Sequence, residues 1–407
     1  MKKSTITLVG IIVAAVIVLT GAFVLFTDNN ISNGIFTTTT TTTAKPTTTT
    51  TTSKVWVDPD YDPIDYFKDD ISSLVTLGQY RDLIVETEYI KASDEDIDLQ
   101  ISILLAQSGE FTKIREGVVT EKVIFSFDYT GYLTKDDGTL GEKFDGGAST
   151  DQLAYINGDN LVTISQNGIG GFIDGFAQGI SGHSVGETFK IDITFPADYQ
   201  NTAMAGKKTV FEIKINYIAQ TNFTDGWVKE YSNNEHKTCK EFRDSIEETL
   251  NANLKQTNLA LIWAEITKNA VVDIPQEELD YYYGAYRQNF EYYASIYGMT
   301  YEEFLKNGGA YYFEGLEVFS DEELVGYIKD ALTQEIVRIA VIRAENLEVT
   351  DEEYRIFVEE LVEVTGKTEE EAVKSYGGEE SIKKTMLIDE VTKLIYEINT
   401  LKVNTTK

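Results

Sequence analysis

Cysteine, histidine and positive charge are all scarce in this chain. Across 407 residues there is one cysteine, Cys239, and two histidines, His183 and His236. A lone cysteine excludes an internal disulfide and a thiolate zinc cluster. A Ser-His-Asp or Cys-His machine would have to use one of the two histidines. His183 sits in a glycine-rich turn and His236 in a polar stretch just before Cys239. Neither accompanies a nucleophile elbow, so hydrolase chemistry is not expected. Lys and Arg number 35 against 67 Asp and Glu, a net charge of −32. Phosphate binding depends on cations that displace counterions, so nucleic acid is not expected as a partner. The acidity reads as a solubility feature.

Apolar residues are concentrated at the start. Lys2 and Lys3 precede an uncharged stretch over residues 4–27, whose core, residues 6–26, is long enough to cross a bilayer. The lysines predict a cytoplasmic N-terminus, with the rest of the chain outside the cell membrane. A cleaved signal peptide would need a shorter apolar region and small residues before the cut, so residues 1–29 are expected to be a cytoplasmic stub and a retained single-pass transmembrane helix. A threonine run over residues 37–52 has no apolar face to bury and reads as an extended tether. The acidic stretch "DPDYDPIDYFKDD" (residues 58–70) places Pro63 where an EF-hand turn needs glycine. Residues 30–75 are therefore expected to be a solvated linker.

Three folded blocks follow. In residues 76–116 a short strand is expected within "LGQYRDLIVETE" (residues 77–88). It leads to a helix capped at Ser93 and carrying Ile97, Ile101, Leu104 and Leu105 to about Gln107. From 117 to 222 the hydrophobic period is two. Val123, Phe125, Phe127 and Tyr129 share a face, as do Phe189, Ile191, Ile193 and Phe195, and Phe211, Ile213, Ile215 and Tyr217. That alternation predicts an antiparallel sheet with one covered face, and Phe127, Ile191 and Ile213 are plain core positions. From 223 to 407 the pattern is helical. Capping signatures begin at Thr238, Thr300, Ser320, Thr350 and Thr368, and a bundle of five to seven helices is expected.

Between two of the strands lies "GGFIDGFAQGISGHSVGE" (residues 170–187), in which six of eighteen residues are glycine. No Lys or Ser/Thr is placed for a phosphate. The alternative is an apolar pocket floored by tightly turned backbone ahead of a short helix. "FDYTGYL" (127–133), "FDGG" (144–147), this stretch, "ITFPADY" (193–199) and "AGKKTVFEI" (205–213) occur in order. Together they resemble the FKBP-type peptidyl-prolyl isomerase domain in the version carried by trigger factor chaperones. "DGWVKEY" (225–231), "DIPQEELD" (273–280) and "VTDEEY" (349–354) resemble the trigger factor helical arm. The resemblance covers most of residues 76–400. The run over residues 151–170 is longer than is usual in the family. The family's ribosome-docking signature, Gly-Phe-Arg-x-Gly-Lys-x-Pro, has no counterpart in the sequence, so ribosome docking is not expected.

The resemblance implies an α+β multidomain architecture. An FKBP-like antiparallel sheet wrapped on a short helix is inserted in an all-α chaperone domain of the trigger factor C-terminal type; the N-terminal transmembrane helix expected from residues 6–26 is a departure from the family. It also implies the site. Tyr129 matches the tyrosine of the first strand, and Phe144 and Asp145 match the Phe-Asp pair. Phe172 and Ile173 match the two apolar residues before the glycine, and Phe176 takes the pocket floor. Tyr199 and Phe211 match the late tyrosine and the last-strand phenylalanine. The chemistry so implied needs no nucleophile, metal or cofactor. The expected partners are unfolded or newly exported polypeptides with X-Pro bonds, and the membrane through the N-terminal helix. The alternative is a non-catalytic holdase with a degenerate isomerase domain, for which residues 280–297 speak, with seven tyrosines in eighteen positions.

Overall fold

The computed structural model describes residues 61–404 except 136–137, 166–167, 198, 200 and 202. The apolar segment over residues 6–26 and the threonine tether lie outside the described residues. Among the described residues no helix is long and apolar enough to cross a membrane. The chain divides into two compact units, one of residues 89–256 and one of the described residues up to 88 together with those from 257 onward.

The elements of the described residues begin with β1 (Val75–Thr76), β2 (Ile84–Thr87) and α1 (Asp94–Gln107). In α1 the Ser93 hydroxyl accepts from the Asp96 N–H while the Asp96 carboxylate accepts from the Ser93 N–H, a reciprocal cap that starts the helix at the expected place. The sheet of the 89–256 unit is built from β3 (Phe111–Ile114), β4 (Phe125–Thr134), β5 (Leu140–Asn157), β6 (Asn160–Ser165), β7 (Gly168–Gly171), β8 (Thr188–Thr194) and β9 (Lys208–Thr221). Its order is β3-β9-β4-β5-β6-β7, with β8 also on β9, and all pairings are antiparallel. The two-residue period decides which side chains go inside. On β9, Phe211, Ile213 and Ile215 are buried while Glu212 and Lys214 face solvent.

The inner face of the sheet wraps α2 (Phe176–Ile180), whose Phe176, Ala177 and Ile180 enter one core with Phe127, Ile191 and Ile213. The glycines before and within α2 have a steric task rather than a phosphate-binding one. Gly175 adopts φ +97°, and a Cβ there would stand 2.9 Å from Ile193 Cδ1. A Cβ on Gly179 would stand 2.7 Å from Ile191 Cγ2. Only glycine lets the helix lie this close to β8. The outer face differs from the expectation of a single covered face. Ile103 and Ala106 of α1 pack there against Ile164, Tyr217 and Ala219, so Ser126 and Tyr217 are buried as well. Helix α1 also packs on Trp227 and Val228 of α3 (Asp225–Tyr231) and on Phe242 of α4 (Cys239–Asn269). Residues 225–256, expected with the helical block, therefore belong to the compact unit of the sheet.

In the other unit β1 pairs antiparallel with β10 (Val271–Val272). The helices there are α5 (Gln276–Ile296), α6 (Tyr301–Lys306), α7 (Gly309–Glu314), α8 (Asp321–Ala344), α9 (Asp351–Thr365), α10 (Glu369–Ser375) and α11 (Glu379–Ile398). A last strand, β11 (Thr400–Val403), runs parallel to β2. Thr300, Thr350 and Thr368 complete reciprocal caps, and the Ser320 hydroxyl accepts from the Glu323 N–H. Nine helices follow residue 222 among the described residues, against the five to seven expected. Left-handed glycines account for part of the surplus, since Gly308 and Gly315 delimit α7.

The linker expectation is corrected for residues 61–75. Tyr66 and Ile71 are buried among Ile262, Tyr282, Leu332 and Ile336, with Ile64, Phe67 and Leu74 against the same core. The Tyr66 hydroxyl donates to Glu278 Oε1 at 2.7 Å, and the Tyr61 hydroxyl and Ile64 N–H converge on Glu278 Oε2. Arg343 donates to the carbonyls of Tyr66 and Asp69. Four acids are interspersed here, yet the apolar residues among them are spaced to dock together, and that decides burial.

Candidate functional site

The inner face of the sheet opens into a cleft of about 440 Å³. Strand β4 supplies Tyr129, β5 supplies Phe144 and Asp145, and β9 supplies Phe211. The turn from β7 into α2 supplies Phe172 and Ile173, α2 itself supplies Phe176, and the segment after β8 supplies Tyr199. All eight residues singled out from the sequence line this one cleft.

Its walls are aromatic and mutually braced. The Phe172 ring tilts against Phe176 at 4.4 Å between centroids and meets Tyr129 edge-on at 5.1 Å. Phe144 meets Phe211 edge-on at 5.8 Å and Phe195 at 6.0 Å, and Tyr199 meets Phe195 at 4.8 Å. Such edge-to-face pairs add to the burial energy and fix each ring's tilt. Phe176 and Phe211 are buried, whereas Tyr129, Phe144, Phe172, Ile173 and Tyr199 are half-buried and present their faces to the opening.

The polar groups are few and placed at the rim. Asp145 is exposed. Burial raises the Tyr129 phenol above its ordinary range, so it is a neutral donor near pH 7. The Tyr129 hydroxyl bonds to no described residue, and no hydrogen bond joins it to Asp145. Gln152, Thr163 and Asn201 also line the cleft, with Phe195 and Met204. These five were not singled out from the sequence. Phe195 was legible as the last inward position of the β8 alternation, whereas Gln152 reaches the cleft because β5 pairs it with the inward-facing Phe127 of β4.

His183 is not part of this site. Its ring stacks on Phe189 at 3.5 Å and its Nδ1 lies 2.9 Å from Glu187, on the turn between α2 and β8. Among the described residues no group of three or more His, Cys, Asp or Glu side chains is placed to hold a metal ion. A small apolar ring fits the cleft, which two phenols, Tyr129 and Tyr199, and one carboxylate, Asp145, also line.

A second surface lies on the tyrosine-rich helix. Tyr282, Tyr286 and Phe290 of α5 are core, while Tyr292, Ile296 and Tyr297 at its end are exposed, as are Tyr311 and Tyr312 on α7. Stacking of Tyr293 on Phe313 at 4.2 Å joins the two helices.

Comparison with known proteins agrees with this geometry. Residues 117–216 match the FKBP-type peptidyl-prolyl cis-trans isomerase family, and residues 237–397 match the bacterial trigger factor protein C-terminus. The trigger factor of Halothermothrix orenii is 31% identical over 340 residues, covering 80% of this chain and 72% of that protein. The trigger factor of Bacillus subtilis is 26% identical over 333 residues, covering 79% and 72%. That of Brevibacillus brevis is 25% identical over 324 residues, covering 76% and 68%.

Proposed function

The chain belongs to the trigger factor family and is a peptidyl-prolyl cis-trans isomerase, and from that premise we propose that it folds exported polypeptides outside the cell membrane by enclosing prolyl rings in the aromatic cleft. Rotation about an X-Pro bond crosses a barrier of about 18–20 kcal/mol because amide resonance is lost in the twisted state. Uncatalysed, it takes tens to hundreds of seconds. Water stabilises the planar, polarised amide, so a prolyl ring seated between Phe172, Phe176 and Phe211 loses that stabilisation. The Tyr129 hydroxyl, bonded to no described residue, is a ready donor to the rotating carbonyl, which favours the twisted form. Asp145 orients the opening and exchanges no proton with the substrate.

One observation carries this reading, namely that rings from five separate segments converge on a single cleft. A non-catalytic grip would not need that enclosure. Proline-limited refolding of a denatured client tests it: the slow phase should accelerate in proportion to added protein. Refolding that stays at the uncatalysed rate overturns the mechanism.

The location rests on Lys2 and Lys3 followed by the uncharged stretch over residues 4–27. It makes the chain a single-pass membrane protein with its N-terminus in the cytoplasm. Protease added to intact cells should remove the folded units, and full protection of those units would refute this. The exposed aromatics of α5 and α7 fit a chaperone surface for unfolded chains, an activity additional to isomerisation.

A further inference from the structure

The stretch after residue 151 carries the end of β5 and the antiparallel pair of β6 and β7. β7 closes one end of the sheet, with β6 on one side and no described strand on the other. The register opposes Thr163 to Gly170 and Ser165 to Gly168, and the next bond donates from the Phe172 N–H to the Leu161 carbonyl at 3.0 Å. Bonded positions in an antiparallel ladder recur at every second residue. Gly168, Gly170 and Phe172 therefore turn their main-chain groups toward β6, and Ile169 and Gly171 turn theirs away. Ile169 is 55% exposed, and nothing stands within 4 Å of a Cβ placed on Gly171. Native edge strands are commonly blunted by Lys, Pro or an inward charge. The four residues of β7, Gly-Ile-Gly-Gly, carry none of these. The edge also runs directly into the cleft, whose wall includes Thr163, Gly170 and Gly171.

We propose that β7 is a strand-addition edge for the client, on which an extended segment flanking the bound prolyl residue pairs with the main chain of Ile169 and Gly171. The proposal rests on the reading of the cleft as the prolyl site. The occupant is the client chain itself, because β7 is continuous with the cleft wall. A chain with its prolyl ring against Phe172 passes Gly171 at once and reaches Ile169 about 7 Å farther on. Main-chain pairing carries no side-chain requirement, which suits an enzyme that meets many sequences. The glycines beside the cleft let a second backbone approach without a Cβ in the way.

The test uses the full chain and two substrates, a tetrapeptide centred on X-Pro and a peptide of about a dozen residues with a central proline. The longer peptide should bind more tightly. N-methylation of its residues two to four positions from proline should weaken binding about 3- to 10-fold on one flank only, as for loss of a hydrogen bond. Ile169→Pro removes an outward donor without breaking the ladder to β6, and should bring the unmodified long peptide to the N-methylated level. Ile169→Ala should not, and both variants should leave tetrapeptide turnover unchanged. N-methylation that has no effect, or an equal effect on both flanks, overturns the proposal, as does an Ile169→Ala loss matching that of Ile169→Pro. If the tetrapeptide is not turned over, the isomerase reading of the cleft fails, while the binding series still decides the edge. If the Ile169→Pro chain does not fold, the N-methylated peptides decide alone.

Discussion

The Phe176 ring stands across the Phe211 ring at 64°, with 4.7 Å between centroids. One comes from α2 and the other from β9, and together they floor the cleft. Truncating a buried phenylalanine costs about 3–5 kcal/mol, so Phe176→Ala must first be shown to fold by near-UV circular dichroism. In the folded variant, water enters beneath the prolyl ring. We expect kcat/KM on an apolar-X-Pro peptide to fall about 10-fold or more, equivalent to about 1.4 kcal/mol of transition-state stabilisation. Undiminished turnover in a folded variant would place catalysis elsewhere.

Asp145→Asn should be milder than Phe176→Ala, because the carboxylate acts at the rim and transfers no proton. Tyr129→Phe should lower kcat more than it raises KM, since the phenol acts on the twisted amide. Burial places the Tyr129 pKa above its ordinary value of 10.0. The donor form is thus present at every pH below that and is lost only as the pH rises through the elevated value. The kcat/KM profile should be flat from about pH 6 to 8. A catalytic pKa inside that window would mean that an acid or base takes part.

Much of this site was legible because its parts are short-range patterns. Alternation on β4, β8 and β9 marks the inward positions, and the glycines around Phe176 mark a helix pressed on a sheet. The caps at Ser93, Thr300, Thr350 and Thr368 fix helix starts from four residues each. What escaped the sequence depends on distant partners. The Gln152 side chain lines the cleft because β5 pairs it with the inward-facing Phe127, and α1 covers a sheet face that periodicity leaves open. The packing of residues 61–75 needs Glu278, more than 200 positions away.

Glu278 itself offers a test of that packing. It is fully buried, and two phenols and one main-chain N–H converge on its carboxylate. Glu278→Gln keeps the volume but removes one acceptor oxygen and the charge. Urea unfolding should show a loss of about 1–3 kcal/mol, and limited proteolysis should cut residues 61–74 faster. Unchanged stability and cleavage would show that the segment is a solvated linker after all.

The exposed aromatics at the end of α5 and on α7 make the last prediction. Tyr292, Ile296 and Tyr297 are each more than half exposed, and Tyr312 is 81% exposed. Such side chains add little to the fold, so replacing all four with serine should change stability by no more than about 0.5 kcal/mol per site. Their apolar bodies and polar tips suit loose contact with unfolded chain. The fourfold variant should therefore lose most of its suppression of aggregation of a denatured client that lacks proline. Tetrapeptide isomerisation should be unchanged, because no changed side chain lines the cleft. Retained suppression with all four removed would assign chaperone contact to another surface. Loss of both activities in a folded variant would mean that the isomerase and the aromatic surface do not work independently.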